Sequence, residues 1–247
     1  MTPPFAILLP ARNEEEAIGP TIESLAGLGA ARIIVADNGS TDSTATRAAA
    51  AGAQVVHEPR PGYGSACLAA IGALGPEIEI VVFMDADGSD EPSSLPRLLA
   101  PILQNEADLV IGSRVDSQRP AGHGNAALPW HQRWGNRLST WLLARLYRTS
   151  CTDLGPFRAI CRQALDRLAM RDPDYGWTAE MQVKAALVGL RVREVPVPHR
   201  PRRAGQSKIS GTLRGSVLAG SKILWTIFRY RFPSRGNWKN QPRRPAQ

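Results

Sequence analysis

The sequence is poor in cysteine, histidine and aromatic side chains: its 247 residues include 3 Cys, 4 His and 6% Phe, Trp and Tyr. Cys67, Cys151 and Cys161 are odd in number and lack C-x-x-C spacing. That argues against a disulfide scaffold or a zinc site and fits a reducing, cytoplasmic compartment. Long apolar runs are missing too. No stretch reaches the roughly 18 residues of a spanning helix. The opening MTPPFAILLP has no basic flank, and its apolar run is too short for a signal peptide. The 22 Gly and 20 Pro show no period, so collagen-like and repeat architectures are out.

Charge of each sign is scarce in one half. Residues 1–118 hold 6 Lys and Arg against 16 Asp and Glu, while residues 119–247 hold 24 against 6. An acidic half followed by a basic half suggests two jobs, not one diffuse nucleic-acid surface, and charge alone does not choose among lipid, nucleotide and nucleic-acid phosphates. The basic half suits phosphates of some kind. With 43% hydrophobic and 21% charged residues, the chain is long and apolar enough to bury a core.

Short β-rich runs at Phe5–Ala11, Arg32–Asp37, Ala53–His57, Ile78–Asp85 and Asp108–Gly112 alternate with helix patterns near Pro20–Leu28, Asp42–Ala51, Ser65–Leu74 and Ser94–Gln104. Pro20 suits a first helical turn, and Ser93 or Ser94 an N-cap. This alternation predicts an α/β fold, a mostly parallel sheet flanked by helices with a Rossmann-like first half. Ligands then bind beyond the carboxyl ends of the strands. The polar clusters Arg12-Asn13-Glu14, Asp37-Asn38-Gly39-Ser40, Asp85-Ala86-Asp87 and Ser113-Arg114 fall at those ends. The second half reads as a mobile loop over 115–129, an amphipathic helix over Trp130–Tyr147, strands near Phe157–Ile160 and Arg191–Pro198, and helices near Gln163–Met170 and Thr178–Gly189. A second amphipathic segment covers 211–232, and a basic, proline-bearing tail over 233–247 is expected to be disordered.

Asp85 and Asp87 end the most apolar strand, Ile80–Met84, and strand alternation would point both to one face. Two carboxylates there suit Mg²⁺ or Mn²⁺ shared with substrate phosphates, or else D-A-D only caps the strand and starts a turn. Asp37 opens a strand–turn–helix cap that does not itself require an acid, so it is free to accept hydrogen bonds from a base or ribose. Neither G-x-G-x-x-G nor a P-loop pattern occurs.

P-A-R-N-E-E (10–15), A-D-N-G-S-T-D (36–42), D-A-D (85–87) and G-S-R (112–114) together resemble the nucleotide-binding half of family-2 glycosyltransferases of the GT-A fold. D-L-G-P-F-R-A-I (153–160), W-T-A-E-M-Q (177–182) and R-R-A-G-Q-S-K (202–208) are similar to the dolichyl- or polyprenyl-phosphate sugar synthase branch. The resemblance is collinear over about residues 5–210 and implies a single GT-A domain over 1–232. In it, 5–114 binds a UDP- or GDP-sugar and 115–210 the acceptor.

By this resemblance Pro10, Ala11, Glu14 and Asp37 line the base and ribose pocket, with Asp85 also on the donor. Asp85 and Asp87 hold the metal, and Arg114, Arg202 and Lys208 lie near phosphates. Asp153 and Arg114 stand at the reacting centre, Asp153 as base for a hydroxyl acceptor or as a positioning group for a phosphate. Ser89 takes the place of a Gln that helps hold the metal in many relatives, with Asp90 and Glu91 beside it. The implied reaction is inverting, metal-dependent transfer to a polyprenyl or dolichyl phosphate, with no nucleic acid as a partner. The two amphipathic helices either pack on the domain or lie at the cytoplasmic face of the membrane as a peripheral contact. Two other readings remain: a soluble glycosyltransferase for a small molecule or saccharide, and a non-catalytic nucleotide- or nucleic-acid-binding module.

Overall fold

A computed structural model describes residues 3–114, 130–203 and 213–231. The 115–129 loop, Lys208 and the 233–247 tail fall outside the described residues.

The order is β1 (Phe5–Ala11), α1 (Glu15–Leu25), β2 (Arg32–Asp37), α2 (Thr44–Ala50), β3 (Gln54–His57), α3 (Tyr63–Gly72), β4 (Ile80–Phe83), α4 (Leu95–Leu103) and β5 (Leu109–Ser113). It continues with α5 (Trp130–Tyr147), β6 (Arg158–Cys161), α6 (Arg162–Leu168), α7 (Trp177–Leu187), β7 (Val192–Pro196) and α8 (Leu213–Arg231). The strands form one sheet in the order β3-β2-β1-β4-β6-β5-β7. Among the described strands only β6 runs antiparallel to its neighbours, pairing Ile80 with Cys161 on one side and Leu109 with Ile160 on the other.

The period of two along β1 divides the core. Ile7 and Leu9 join Ile18, Ile22, Val82 and Leu98 on the face covered by α1 and α4. Ala6 and Leu8 join Cys67, Phe83, Leu165 and Trp177 on the face covered by α3, α6 and α7. Burying both faces explains why the central strands read as near-continuous apolar runs. A third cluster, Leu143, Leu154, Ala179, Val183 and Ile227, packs α5 and α8 against α7. The Tyr147 hydroxyl donates to Ile227 O at 2.6 Å and ties α5 to α8.

Two local expectations are corrected. Helix α1 begins at Glu15, so Pro20 lies inside it and not in its first turn. Glu15 and Glu16 occupy the first turn, where negative side chains complement the helix dipole. Strand β4 ends at Phe83, so Asp85 and Asp87 stand on the turn beyond it. Their approach to one site is set by that turn, not by strand alternation.

Candidate active site

The carboxyl ends of β1, β4 and β5 open onto a cleft of about 430 Å³. Pro10, Ala11, Glu14, Asp85, Asp87, Arg114 and Arg202 all line it. Asp37 does not. Its Oδ1 accepts the Ser40 N–H at 3.2 Å and its Oδ2 lies 3.2 Å from His57 Nδ1, so it braces its own turn. The neighbouring Asn38 faces the cleft instead, its amide donating to Arg60 O and accepting from the Gly62 N–H.

The loop after β1 is locked onto the turn after β2. Asn13 N–H donates to Ser40 Oγ, Thr41 N–H to Asn13 Oδ1, and Glu14 N–H to Thr44 Oγ1 at 2.8 Å. These bonds fix the Glu14 side chain opposite Arg202, with which it forms an ion pair. The same guanidinium reaches Asp87 Oδ2 at 3.1 Å, so Arg202 spans two acidic groups from two different strand ends. The segment carrying Arg202 is docked by backbone: Arg203 N–H donates to Asp87 O, Arg200 N–H to Ser89 O, and Asp90 bridges His199. Gly88 lies at φ +72°, a conformation that favours glycine, and a Cβ there would stand 3.0 Å from the Arg203 side chain, which would have to shift slightly.

The D-A-D turn concentrates negative charge. Thr21 Oγ1 donates to Ala86 O and pins the turn to α1, while Ser89 N–H caps Asp87 Oδ1 at 2.9 Å. Asp90 is buried behind them, its Oδ2 accepting the Asp85 N–H at 3.1 Å and its Oδ1 left without a hydrogen-bond partner. Burial pushes Asp90 up to about 7, chiefly against the Asp85 N–H hydrogen bond and the pull of Arg114. Burial, then Asp87 and Asp90, push Asp85 well above the usual carboxylate range, against Arg114 and Arg202.

A surplus of carboxylate held against its preference for water suits a hard divalent cation bound by one or two protein oxygens and completed by phosphates. Asp85 and Asp87 offer such oxygens. Among the described residues no three His, Cys, Asp or Glu gather to hold an ion by themselves.

At the end of β5, Arg114 forms a bidentate pair with Asp153, Nε to Oδ2 and Nη2 to Oδ1, both at 2.8 Å. The Arg114 backbone N–H adds a third bond to Oδ2 at 2.9 Å. Asp153 is fully buried; burial would raise its pKa, but the hydrogen bonds and charge of Arg114 hold it below the ordinary carboxylate value. Behind the pair, Gln182 Nε2 donates to Asp153 O, and Glu194 accepts the N–H groups of Thr152 and Asp153. Arg158, fully buried, donates to Gly155 O and Thr178 O, and burial lowers it to about 10. It thereby fixes the D-L-G-P segment to the start of α7.

Sequence reasoning missed much of the lining: Tyr63, Asn136, Ser139, Tyr175 and Thr178, with Ala219, Gly220 and Ile223 of α8. Asn38 had a usable signal in its adjacency to Asp37. The α5 and α8 residues carry none, because only packing brings those helices to the cleft.

The geometry agrees with the comparisons. The family model described as Glycosyl transferase family 2 matches residues 6–169. An uncharacterized glycosyltransferase of Mycobacterium tuberculosis is 45% identical over 214 residues, covering 86% of this chain and 93% of that one. The undecaprenyl-phosphate mannosyltransferase of Micrococcus luteus is 32% identical over 223 residues, 85% of this chain and 89% of its own. A crystal structure of glucosyl-3-phosphoglycerate synthase from Mycobacterium tuberculosis with Mn²⁺, UDP and glucosyl-3-phosphoglycerate superposes with a TM-score of 0.74 at 27% identity, covering 94% of this chain and 82% of that one. With the sheet, the D-A-D turn and the cleft in the expected arrangement, the chain belongs to the family-2 glycosyltransferases and is a glycosyltransferase of the GT-A-like α/β fold.

Proposed function

We propose that the chain is an inverting, metal-dependent transferase that moves a sugar from a UDP- or GDP-sugar to polyprenyl phosphate. The observation that carries this reading is one cleft that gathers Asp85 and Asp87 with Arg114 and Arg202. Pro10, Ala11 and Glu14 are assigned to the base and ribose, with Asp37 bracing the turn beneath. Asp85 and Asp87 would hold Mg²⁺ or Mn²⁺, which when bound offsets charge on the diphosphate leaving group. Arg202, now bound to Glu14 and Asp87, is assigned to a phosphate, and so is Lys208 on sequence grounds.

The Arg114–Asp153 pair bears on the acceptor. A buried carboxylate with both oxygens on a guanidinium, held below its ordinary pKa, is a poor proton acceptor. Its fitting role is to hold Arg114 in place. A phosphate acceptor arrives ionised and needs positioning only. One of its oxygens attacks the anomeric carbon from the face opposite the donor, the bond from that carbon to the diphosphate oxygen breaks, and the nucleoside diphosphate leaves with the electron pair. No proton has to move. The lipid-phosphate acceptor named for the Micrococcus luteus relative supports this reading.

A second reading has one observation in its favour: the structural relative was crystallised with glucosyl-3-phosphoglycerate, which carries a small phosphorylated acid. The test is transfer of labelled sugar from UDP- and GDP-sugars, with Mn²⁺, to polyprenyl phosphate and to phosphoglyceric acid in parallel. Metal-dependent label in the lipid, lost in Asp87→Asn, is the expected result. Label only in the small acid selects the second reading. A true donor nucleotide at a hundredfold excess over Kd stabilises the native state by about 2.7 kcal/mol. Folded protein with no such shift for UDP or GDP would refute both readings.

A further inference from the structure

Helices α5 and α8 have two faces. Their inner rows are satisfied: Leu143 and Ile227 are buried against Val183 and Ala179 of α7. Their outer rows are not, because Trp134 on α5 is 73% exposed, Trp141 60%, and Trp225 on α8 50%, with Leu138, Leu218 and Phe228 also exposed. On α5 the positions 134, 138 and 141 fall on one stripe, and on α8 the positions 218, 225 and 228 do the same. Single exposed apolar residues need no explanation, but two stripes on adjoining helices do.

Charge identifies what covers them. Neither helix contains an Asp or Glu, while Arg133, Arg137 and Arg145 flank the α5 stripe. On α8 two cations clasp the exposed indole, Lys222 Nζ lying 4.8 Å and the Arg229 guanidinium 4.9 Å from the Trp225 ring centroid. A symmetric contact between two copies of this face would press cations against cations. An anionic bilayer offers phosphate to the guanidiniums and an acyl boundary to the indoles, the environment for which Trp beside Arg and Lys is suited. Among the described residues no helix is long and apolar enough to cross a membrane, so the contact is with the surface.

The same helices also line the cleft, through Gly135 and Ser139 on α5 and Ala219 and Gly220 on α8. Trp134 adjoins Gly135, and Leu218 adjoins Ala219, so on each helix the exposed stripe and the cleft-lining positions share the same turns, about 100° apart around the axis. We propose that the outer faces of α5 and α8 form a docking surface for anionic phospholipid, which sets the cleft mouth against the bilayer where a lipid-linked acceptor resides. This rests on the lipid-phosphate reading for its purpose, though not for its chemistry.

The test is sedimentation of the full chain with phosphatidylglycerol and with phosphatidylcholine vesicles. Wild-type protein is expected to pellet with phosphatidylglycerol and to be released as salt rises, since exposed charge attraction is screened over about 10 Å at 0.1 M. W134A/W141A/W225A is expected to lower partitioning by about tenfold or more, through lost apolar insertion. Its thermal shift with UDP and Mn²⁺ should stay unchanged, because none of the three lines the cleft. R133Q/R137Q/R229Q, which leaves the apolar stripes intact, should erase the preference for phosphatidylglycerol.

The proposal is overturned if wild-type protein stays in the supernatant at low salt, or if the folded tryptophan variant pellets like wild type. It is equally overturned if wild type forms a dimer that this variant disperses, which would give the face to a second copy. Vesicle binding without transfer to polyprenyl phosphate sinks the acceptor assignment and keeps the surface. Transfer without vesicle binding does the reverse.

Discussion

Asp153→Asn separates holding from proton transfer at this site. The carboxylate accepts three bonds from Arg114, two at 2.8 Å and one at 2.9 Å, with Asp153 itself fully buried and the Arg114 side chain 17% exposed. An Asn amide retains one oxygen for two of these bonds and turns its NH₂ toward another donor. Arg114 is left as a largely buried cation without its counter-charge. Removing one partner of such a pair costs about 3–5 kcal/mol, much of it the unpaired charge. For a chain of this size, where 1 kcal/mol moves Tm by about 2–4 °C, the expected loss is roughly 6–20 °C.

The assay is a thermal and urea denaturation cycle with Asp153→Asn, Arg114→Met and the double substitution D153L/R114M. The double variant should recover much of the stability, since an apolar pair of similar volume often matches a buried ion pair. It should recover no transfer activity, because Arg114 faces the cleft. A loss under about 1 kcal/mol in Asp153→Asn would refute the buried-pair reasoning. Activity restored in the double variant would refute the role given to Arg114.

Further outcomes follow from the same reasoning. Lys184 and Glu180 are both buried and 2.8 Å apart, and Glu180 also accepts from Tyr230 and from the N–H groups of Arg171 and Asp172. Glu180→Gln should therefore cost about 3 kcal/mol in urea unfolding, and a loss near zero would mean the network is not closed. A Cβ at Gly64 would meet Asp172 O at 2.0 Å and Pro173 C at 2.8 Å, both backbone, so Gly64→Ala should lose about 2–3 kcal/mol by displacing the 172–174 segment from α3. Asp90, raised by burial to about 7, binds a proton in the folded chain that it releases near 4 when unfolded. The unfolded state then holds fewer protons across that window, so this group makes metal-free stability fall as pH rises from about 4 to 7 and level off above. Asp90→Asn should flatten Tm against pH between about 4 and 7, and an unchanged slope there would count against the raised pKa.

The strands of the first half and the polar ends that bear the site were legible because their causes are local. The short apolar runs of Phe5–Ala11 and β4 and the Asn-Gly turn after Asp37 each follow from residues within one element. Locality also explains the misplacements. Pro20 reads as a helix start, yet Glu15 and Glu16 complement the dipole a turn earlier, and the apolar run that ends at Met84 does not reveal that pairing stops at Phe83. The antiparallel insertion of β6 between β4 and β5 was beyond local reading, since it depends on partners far along the chain. So were the ion pairs that define the cleft, Arg114 with Asp153 across 39 residues and Glu14 with Arg202 across 188. The residue types at the strand ends are local facts of the chain, and they already point to the family. Tertiary structure decided which of them face the cleft, which are buried as counter-ions, and which tryptophans remain outside. Burial and pairing of charge depend on distant neighbours removing water, and no stretch of sequence contains those neighbours.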